Sequence, residues 1–220
     1  MSGEQGTTPG LGVRGALVAA VFGLALLAAL GNAWLRRGRE ARLERLPAVT
    51  KLSDFSLLDR SGQTRRLLDL KGRASVVGFV FTRCSGPCPR LTATMAALHA
   101  DPGLRELRLI SVTVDPEHDR PEQLDAYARS FAARAGDWWF LTGEAKAVRA
   151  LVRQSFKLAL MEDERAGTPV GERFSHSTRL VLVDDLGQIR GYYDSTDGAE
   201  LKKLRADALA LIRAGRAGAR

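Results

Sequence analysis

Val76-Val77-Gly78-Phe79-Val80-Phe81-Thr82-Arg83-Cys84-Ser85-Gly86-Pro87-Cys88-Pro89-Arg90-Leu91 is the stretch on which the reading of the fold turns. The apolar run from Val76 to Phe81 has the length of a buried strand, and the turn-rich residues after it end that strand. A helical pattern opens at Pro89 and continues through Leu91, Met95 and Leu98. The chain has only two cysteines, and both stand where strand gives way to helix. A helix beginning near Cys88 brings both thiols to its first turn, where unpaired N–H groups and a partial positive charge favour thiolate over thiol. Thiolates are soft donors suited to Cu(I), and they are also the nucleophiles of disulfide exchange. The alternative is a pair of small buried hydrophobes, a role that rarely puts both cysteines of a chain at such a junction.

Outward from this stretch, strands and helices alternate. Phe55–Asp59 and Gln63–Leu67 flank Arg60-Ser61-Gly62 and predict a hairpin, with Asp54 and Asp59 as turn or surface residues. Leu107–Val114 reads as a second buried strand, and Asp115–Arg120 as a loop before a helix that opens at Pro121-Glu122 and ends near Gly136. Trp138–Leu141 is a short strand, followed by a helix to about Phe156; Trp138 and Trp139 pack at the strand start. Met161–Arg173 is polar, with Gly167, Pro169 and Gly171, and reads as a loop or flap. Thr178–Val183 and Gln188–Tyr193 make a strand pair, and a last helix starts near Asp197. No internal repeat stands out. The order of elements indicates an α/β sandwich about a mixed sheet.

Residues 1–14 are rich in Gly, Ser, Thr and Pro and read as disordered. Residues 15–35 carry no charge, and a helix of that length spans ~30 Å, the thickness of a hydrocarbon core. They predict a transmembrane anchor with Trp34 at its interface; a signal peptide cleaved near Ala29-Leu30-Gly31 is the rival reading. A linker, 36–49, leads to the domain at 50–215, and 216–220 form a disordered tail. The net charge is +8, but residues 1–45 hold six Arg and three Glu, and the rest is spread along helices with acids interleaved. That pattern gives solvated faces and argues against nucleic-acid binding.

With these residues in place, 50–215 resembles the Sco/SenC family of copper chaperones, membrane-anchored members of the thioredoxin superfold. The matching pieces are Gly78-Phe79-Val80-Phe81-Thr82, Cys84-x-x-x-Cys88-Pro89, Val114-Asp115-Pro116-x-x-Asp119-x-Pro121-Glu122, and His176 ahead of Leu180–Asp184 and Gly187. The resemblance implies a thioredoxin-like sandwich that binds copper, as Cu(I) or Cu(II), through Cys84, Cys88 and His176. It puts Asp115 and Asp119 on an acidic loop beside the metal. It further implies a role in assembling the copper centre of cytochrome c oxidase. The partners would be a copper-containing oxidase subunit or another copper chaperone, together with a thiol reductant. Where the family usually has Pro after the first cysteine and an acidic residue before the second, this chain has Ser85 and Pro87, and His118 stands where the family tends to have Arg.

Two thiolates and an imidazole suit copper, whereas structural zinc normally takes four ligands. His99 lies too far along its helix to be a fourth, His118 is a loop candidate, and Met161 is filler. The competing function is a thiol–disulfide oxidoreductase in which Cys84 attacks and Cys88 resolves. Against it stand the three intervening residues, where thioredoxin-like reductases have two, and the absence of any need for His176. Location draws opposite arguments. Arg36, Arg37, Arg39, Arg42 and Arg45 would keep the domain cytoplasmic by the positive-inside rule. The resemblance implies an inner-membrane protein with its domain on the periplasmic side, and this is the reading adopted.

Overall fold

The computed structural model describes residues 46–158, 160–162, 174–176 and 178–218, with positions 15, 18–27, 29–31 and 33 toward the N-terminus. The chain divides into two units, Met1–Glu44 and Arg45–Arg220. In the first, residues 18–27 and 29–31 are helical with exposed side chains. Among the described residues no helix is long and apolar enough to cross a membrane; the rest of the expected 15–35 span, residues 1–14 and residues 34–45 lie outside them.

The second unit is built on an eight-stranded mixed sheet. Its strands are β1 (Thr50–Lys51), β2 (Ser56–Asp59), β3 (Thr64–Arg66), β4 (Ser75–Val80), β5 (Arg108–Thr113), β6 (Trp138–Thr142), β9 (Arg179–Val183) and β10 (Gln188–Asp194), in the order β1-β10-β9-β4-β5-β6-β2-β3. A separate ribbon pairs β7 (Leu160–Glu162) with β8 (Phe174–His176). The helices are α1 (Pro87–Ala100), α2 (Pro121–Ser130), α3 (Ala145–Ala150) and α4 (Gly198–Gly218). Strands β4, β5 and β6 run parallel, whereas β9 meets β4 antiparallel. All six residues of β4 are buried, as expected of a strand covered on both faces.

Several boundaries differ from the sequence reading. The domain starts earlier than residue 50: Leu46 is buried and its carbonyl accepts from Arg190 Nη1 at 2.8 Å. Met161 and Glu162 belong to β7 and not to a loop. Helix α2 stops at Ser130, because Ala132 takes a left-handed φ of 51°. Helix α3 passes into a π turn, Leu151–Ser155, and Lys157 then turns left-handed at φ 52°. Helix α4 runs through Gly218, past the tail boundary expected at 216.

A short repeat escaped the sequence reading. Asp59-x-x-Gly62-Gln63-x-Arg65 and Asp184-x-x-Gly187-Gln188-x-Arg190 make the same hairpin twice. In each, the aspartate accepts two turn N–H groups, from Ser61 and Gln63 or from Leu186 and Gln188. Each arginine Nε donates to the same carboxylate, at 2.7 and 2.8 Å, while its Nη2 reaches the glutamine side chain. Gly62 and Gly187 take φ of 80° and 78°, which an L side chain resists. Asp59 is therefore a buried turn anchor and not a surface residue.

Gly78 decides how closely α1 lies on β4. A Cβ there would sit 2.8 Å from Met95 Sδ and 2.9 Å from Leu91 Cδ2, both on α1. Trp138, buried as expected at the start of β6, donates from Nε1 to Ser111 Oγ at 3.0 Å. Trp139 lies under the guanidiniums of Arg65 and Arg108.

Candidate metal centre

Strand β4 ends at Val80 and helix α1 opens at Pro87, two residues earlier than the sequence pattern suggested, with Pro87 at the first helical position. Proline fits there because that N–H has no intrahelical partner. Between them the chain turns, and the Cys84 N–H donates to the Phe81 carbonyl at 3.2 Å. Cys88 thus falls in the first turn of α1, as the spacing required. Cys84 is 9% exposed and Cys88 0%. The thiols are unbridged and in hydrogen-bond contact with each other.

The expectation that the helix start would favour thiolate does not hold for Cys88. Burial pushes its thiol well up, and the hydrogen bond with Cys84 and the nearby charges of Cys84 and Asp119 add to that, against a smaller lowering by the Phe81 backbone. Desolvation of a charged sulfur outweighs the partial charge of a helix end. A dry dithiol of this kind keeps its protons until a soft cation, or a disulfide, takes their place.

The acidic loop closes against the cysteine turn. In the parallel β4–β5 pair Val80 lies opposite Thr113, so the residues that follow each strand emerge side by side. Asp119, fully buried, accepts the Thr82 N–H at 3.0 Å, the Thr82 hydroxyl at 2.5 Å and the Thr113 hydroxyl at 2.6 Å. Burial raises its pKa, and the hydrogen bonds from Thr113 and Thr82 oppose the rise. Asp115 accepts from Arg83 Nη2 at 2.6 Å. Both aspartates therefore grip residues directly before Cys84.

Of the three histidines, His176 stands in the ribbon formed by β7 and β8, separate from the main sheet. It closes β8, opposite Leu160 of β7. Strand β9 begins three residues later, and its antiparallel pairing with β4 covers Val181 to Val183, with Val77 opposite Val181. The side chain of His176 lies outside the described ones. His99 is a packing residue: its ring lies against Trp138, its Nε2 accepts the Arg134 N–H at 3.4 Å, and burial lowers its pKa. His118 is exposed at the tip of its loop. Among the described residues no three His, Cys, Asp or Glu side chains gather to hold a metal ion, so the described donors are the two sulfurs.

Sequence reasoning missed Arg83 and the hydroxyls of Thr82, Thr113 and Thr92. It also missed Tyr127, whose hydroxyl meets Thr92 Oγ1 at 2.9 Å. Burial pushes the Tyr127 pKa up to about 12, with Thr92 opposing and Cys88, Cys84 and Asp119 adding to the rise. The pairing Thr82-x-Cys84 with Thr113-x-Asp115 was the available signal, legible once β4 and β5 are taken as parallel neighbours. A cavity of about 520 Å³ lies elsewhere, at the opposite ends of these strands, lined among others by Arg73, Glu106, Asp137 and Arg216.

Fold and site together define a thioredoxin-like α/β protein carrying a buried, unbridged dithiol at a strand–helix junction. The SCO1/SenC family model matches residues 44–209, and the chain belongs to that family. A mitochondrial SCO2 homologue of Bos taurus is 34% identical over 215 residues, covering 90% of this chain and 76% of that protein. The structure of BsSco, a member of the Sco family of cytochrome c oxidase assembly proteins in which a disulfide switch is identified, is 26% identical with a TM-score of 0.62. It covers 73% of this chain and 94% of that one. ScoI of Arabidopsis thaliana with copper bound shares the fold at a TM-score of 0.61, 22% identity, 74% of this chain and 98% of that one.

Proposed function

We propose that this protein is a copper chaperone that delivers copper to, or prepares, the copper site of cytochrome c oxidase. Cys84, Cys88 and His176 are the metal ligands; Asp115 and Asp119 hold the cysteine turn without touching the metal. The observation that carries the reading is the pair of buried, unbridged thiols in mutual contact. Two soft donors in a dry site suit Cu(I), while the imidazole adds a donor that Cu(II) also accepts. The copper-bound state of the Arabidopsis relative and the oxidase-assembly role of BsSco support it. Residues 15–35 anchor the chain in the inner membrane, with the domain on the periplasmic side. The partners are an oxidase subunit or another chaperone, and an external thiol reductant whose two thiols reduce a Cys84–Cys88 disulfide through a mixed disulfide, leaving the pair as two thiols and the reductant as a disulfide.

The test is copper loading of the reduced compact unit, residues 46–220. Close to one copper per chain is expected, with zinc much weaker, and Cys84→Ser or Cys88→Ser abolishes loading. Full stoichiometry in both serine variants overturns the assignment. In that case rapid turnover of a dithiol substrate by the parent, little affected by His176→Ala, would establish the oxidoreductase instead. Side is read separately: a membrane-impermeant thiol reagent on intact cells labels Cys84 and Cys88 after mild reduction. Labelling only after lysis would favour the arginine cluster over the family.

A further inference from the structure

Arg83 is the residue directly before Cys84, and it is the group through which Asp115 grips the cysteine turn. Its Nη2 donates to Asp115 Oδ2 at 2.6 Å, and the carboxylate side chain there is only 7% exposed. Its Nε is closed off from solvent and has no hydrogen-bond partner among the described residues. A buried N–H without an acceptor costs stability, and a negative charge forming nearby relieves that cost. Because solvent cannot touch this atom, the acceptor comes from within the fold. The next residue along the chain, Cys84, is one of the two whose sulfurs change charge when the site fills.

We propose that Arg83 positions Cys84 and balances the charge of the filled site, so that the protein holds Cu(I) in preference to Cu(II); this rests on the copper reading above. Two thiolates leave Cu(I) with one net negative charge and Cu(II) with none. Asp115, on the neighbouring loop after β5, is a second negative charge, and Arg83 cancels it. Without the guanidinium, a buried carboxylate faces an anionic metal site uncompensated, which penalises Cu(I) more than Cu(II). The ion pair also ties the cysteine turn to the loop after β5, thirty-two residues along the chain. Lysine would supply the charge but not the planar fork.

The experiment compares Arg83→Met, Arg83→Lys and the double variant Arg83→Met/Asp115→Asn with the parent, each as the full chain. Competition against a chelator of known affinity reads Cu(I) and Cu(II) binding separately. In Arg83→Met, Cu(I) affinity falls about tenfold or more, as for a buried charge left unpaired, while Cu(II) affinity falls much less. Arg83→Lys recovers part of the loss, and the double variant, which removes the stranded carboxylate, recovers most of it. An unchanged Cu(I)-to-Cu(II) ratio in Arg83→Met overturns the charge role, as does a double variant worse than the single one. Hydrogen exchange of the metal-free proteins reads the positioning role. Amides of Thr82 to Ser85 exchange several-fold faster in Arg83→Met, and parent-like exchange overturns that part. A parent that takes up no copper sinks the chaperone reading and the copper preference with it, while the exchange result still decides whether Arg83 positions Cys84.

Discussion

Asp119 holds Thr82 twice over, accepting its backbone N–H at 3.0 Å and its hydroxyl at 2.5 Å. Thr82 lies two residues before Cys84, and Asp119 lies on a loop thirty-seven residues further along the chain. A third donor, the Thr113 hydroxyl, completes the set. This junction fixes where β4 releases the chain into the cysteine turn.

Asp119→Ala leaves three donors without their acceptor, the buried Thr113 hydroxyl and the two half-buried groups of Thr82, so it costs about 2–4 kcal/mol of stability. Urea unfolding of parent and variant measures it as a fall in midpoint at unchanged slope. A shift worth less than about 0.5 kcal/mol, the range of ordinary surface changes, would mean that the turn is held by other contacts.

Gly78→Ala drives a methyl into Met95 Sδ and Leu91 Cδ2. Overpacking of this kind costs about 1–3 kcal/mol. Because α1 carries Cys88, the same variant loads copper more weakly even where it is fully folded. Normal stability together with normal loading would show that α1 can retreat from the sheet without consequence.

The hairpin anchored by Asp59 predicts an acid effect. Burial works to raise the Asp59 pKa, but the hydrogen bonds from Ser61, Arg65 and Gln63 hold the carboxyl below its ordinary value. A carboxyl depressed in the fold stabilises it above the unfolded pKa of about 4, and that contribution disappears as pH falls through the folded value. Asp59→Asn is therefore less stable than the parent near neutrality, and the gap narrows in acid. Thermal melts at a series of pH values check this; a gap that widens as pH falls would contradict the assignment.

On the proposed ligand set, His176→Ala removes the nitrogen donor and leaves both sulfurs. Cu(I) binding survives in part, whereas the thiolate-to-Cu(II) absorption shifts or fades, because Cu(II) depends more on imidazole. An unchanged Cu(II) spectrum would take His176 out of the site.

Much of the fold was legible because its signals are local. Val76–Phe81 announces a buried strand through an unbroken apolar run and Leu107–Val114 through alternation rich in β-branched residues, while Pro89 to Leu98 carries its own helical periodicity. The hairpin at Arg60-Ser61-Gly62 follows from turn residues between short alternating runs. Less visible was the repeat of Asp59 to Arg65 at Asp184 to Arg190, since polar residues at fixed turn offsets leave no trace in hydrophobic patterning.

From its sequence alone, this chain determines the position of both cysteines at the end of a buried strand and the start of a helix, because strand, turn and helix are each written in neighbouring residues. The family motifs add His176 and the two loop aspartates. Only the tertiary structure decides what surrounds them. Parallel pairing of β4 with β5 brings Arg83 to Asp115 and Thr82 to Asp119, partners more than thirty residues apart. Burial then reverses the charge preference that the helix start alone would give Cys88. The physical reason is that local propensity acts over a few residues, whereas desolvation and ion pairing depend on which distant segments the sheet sets side by side.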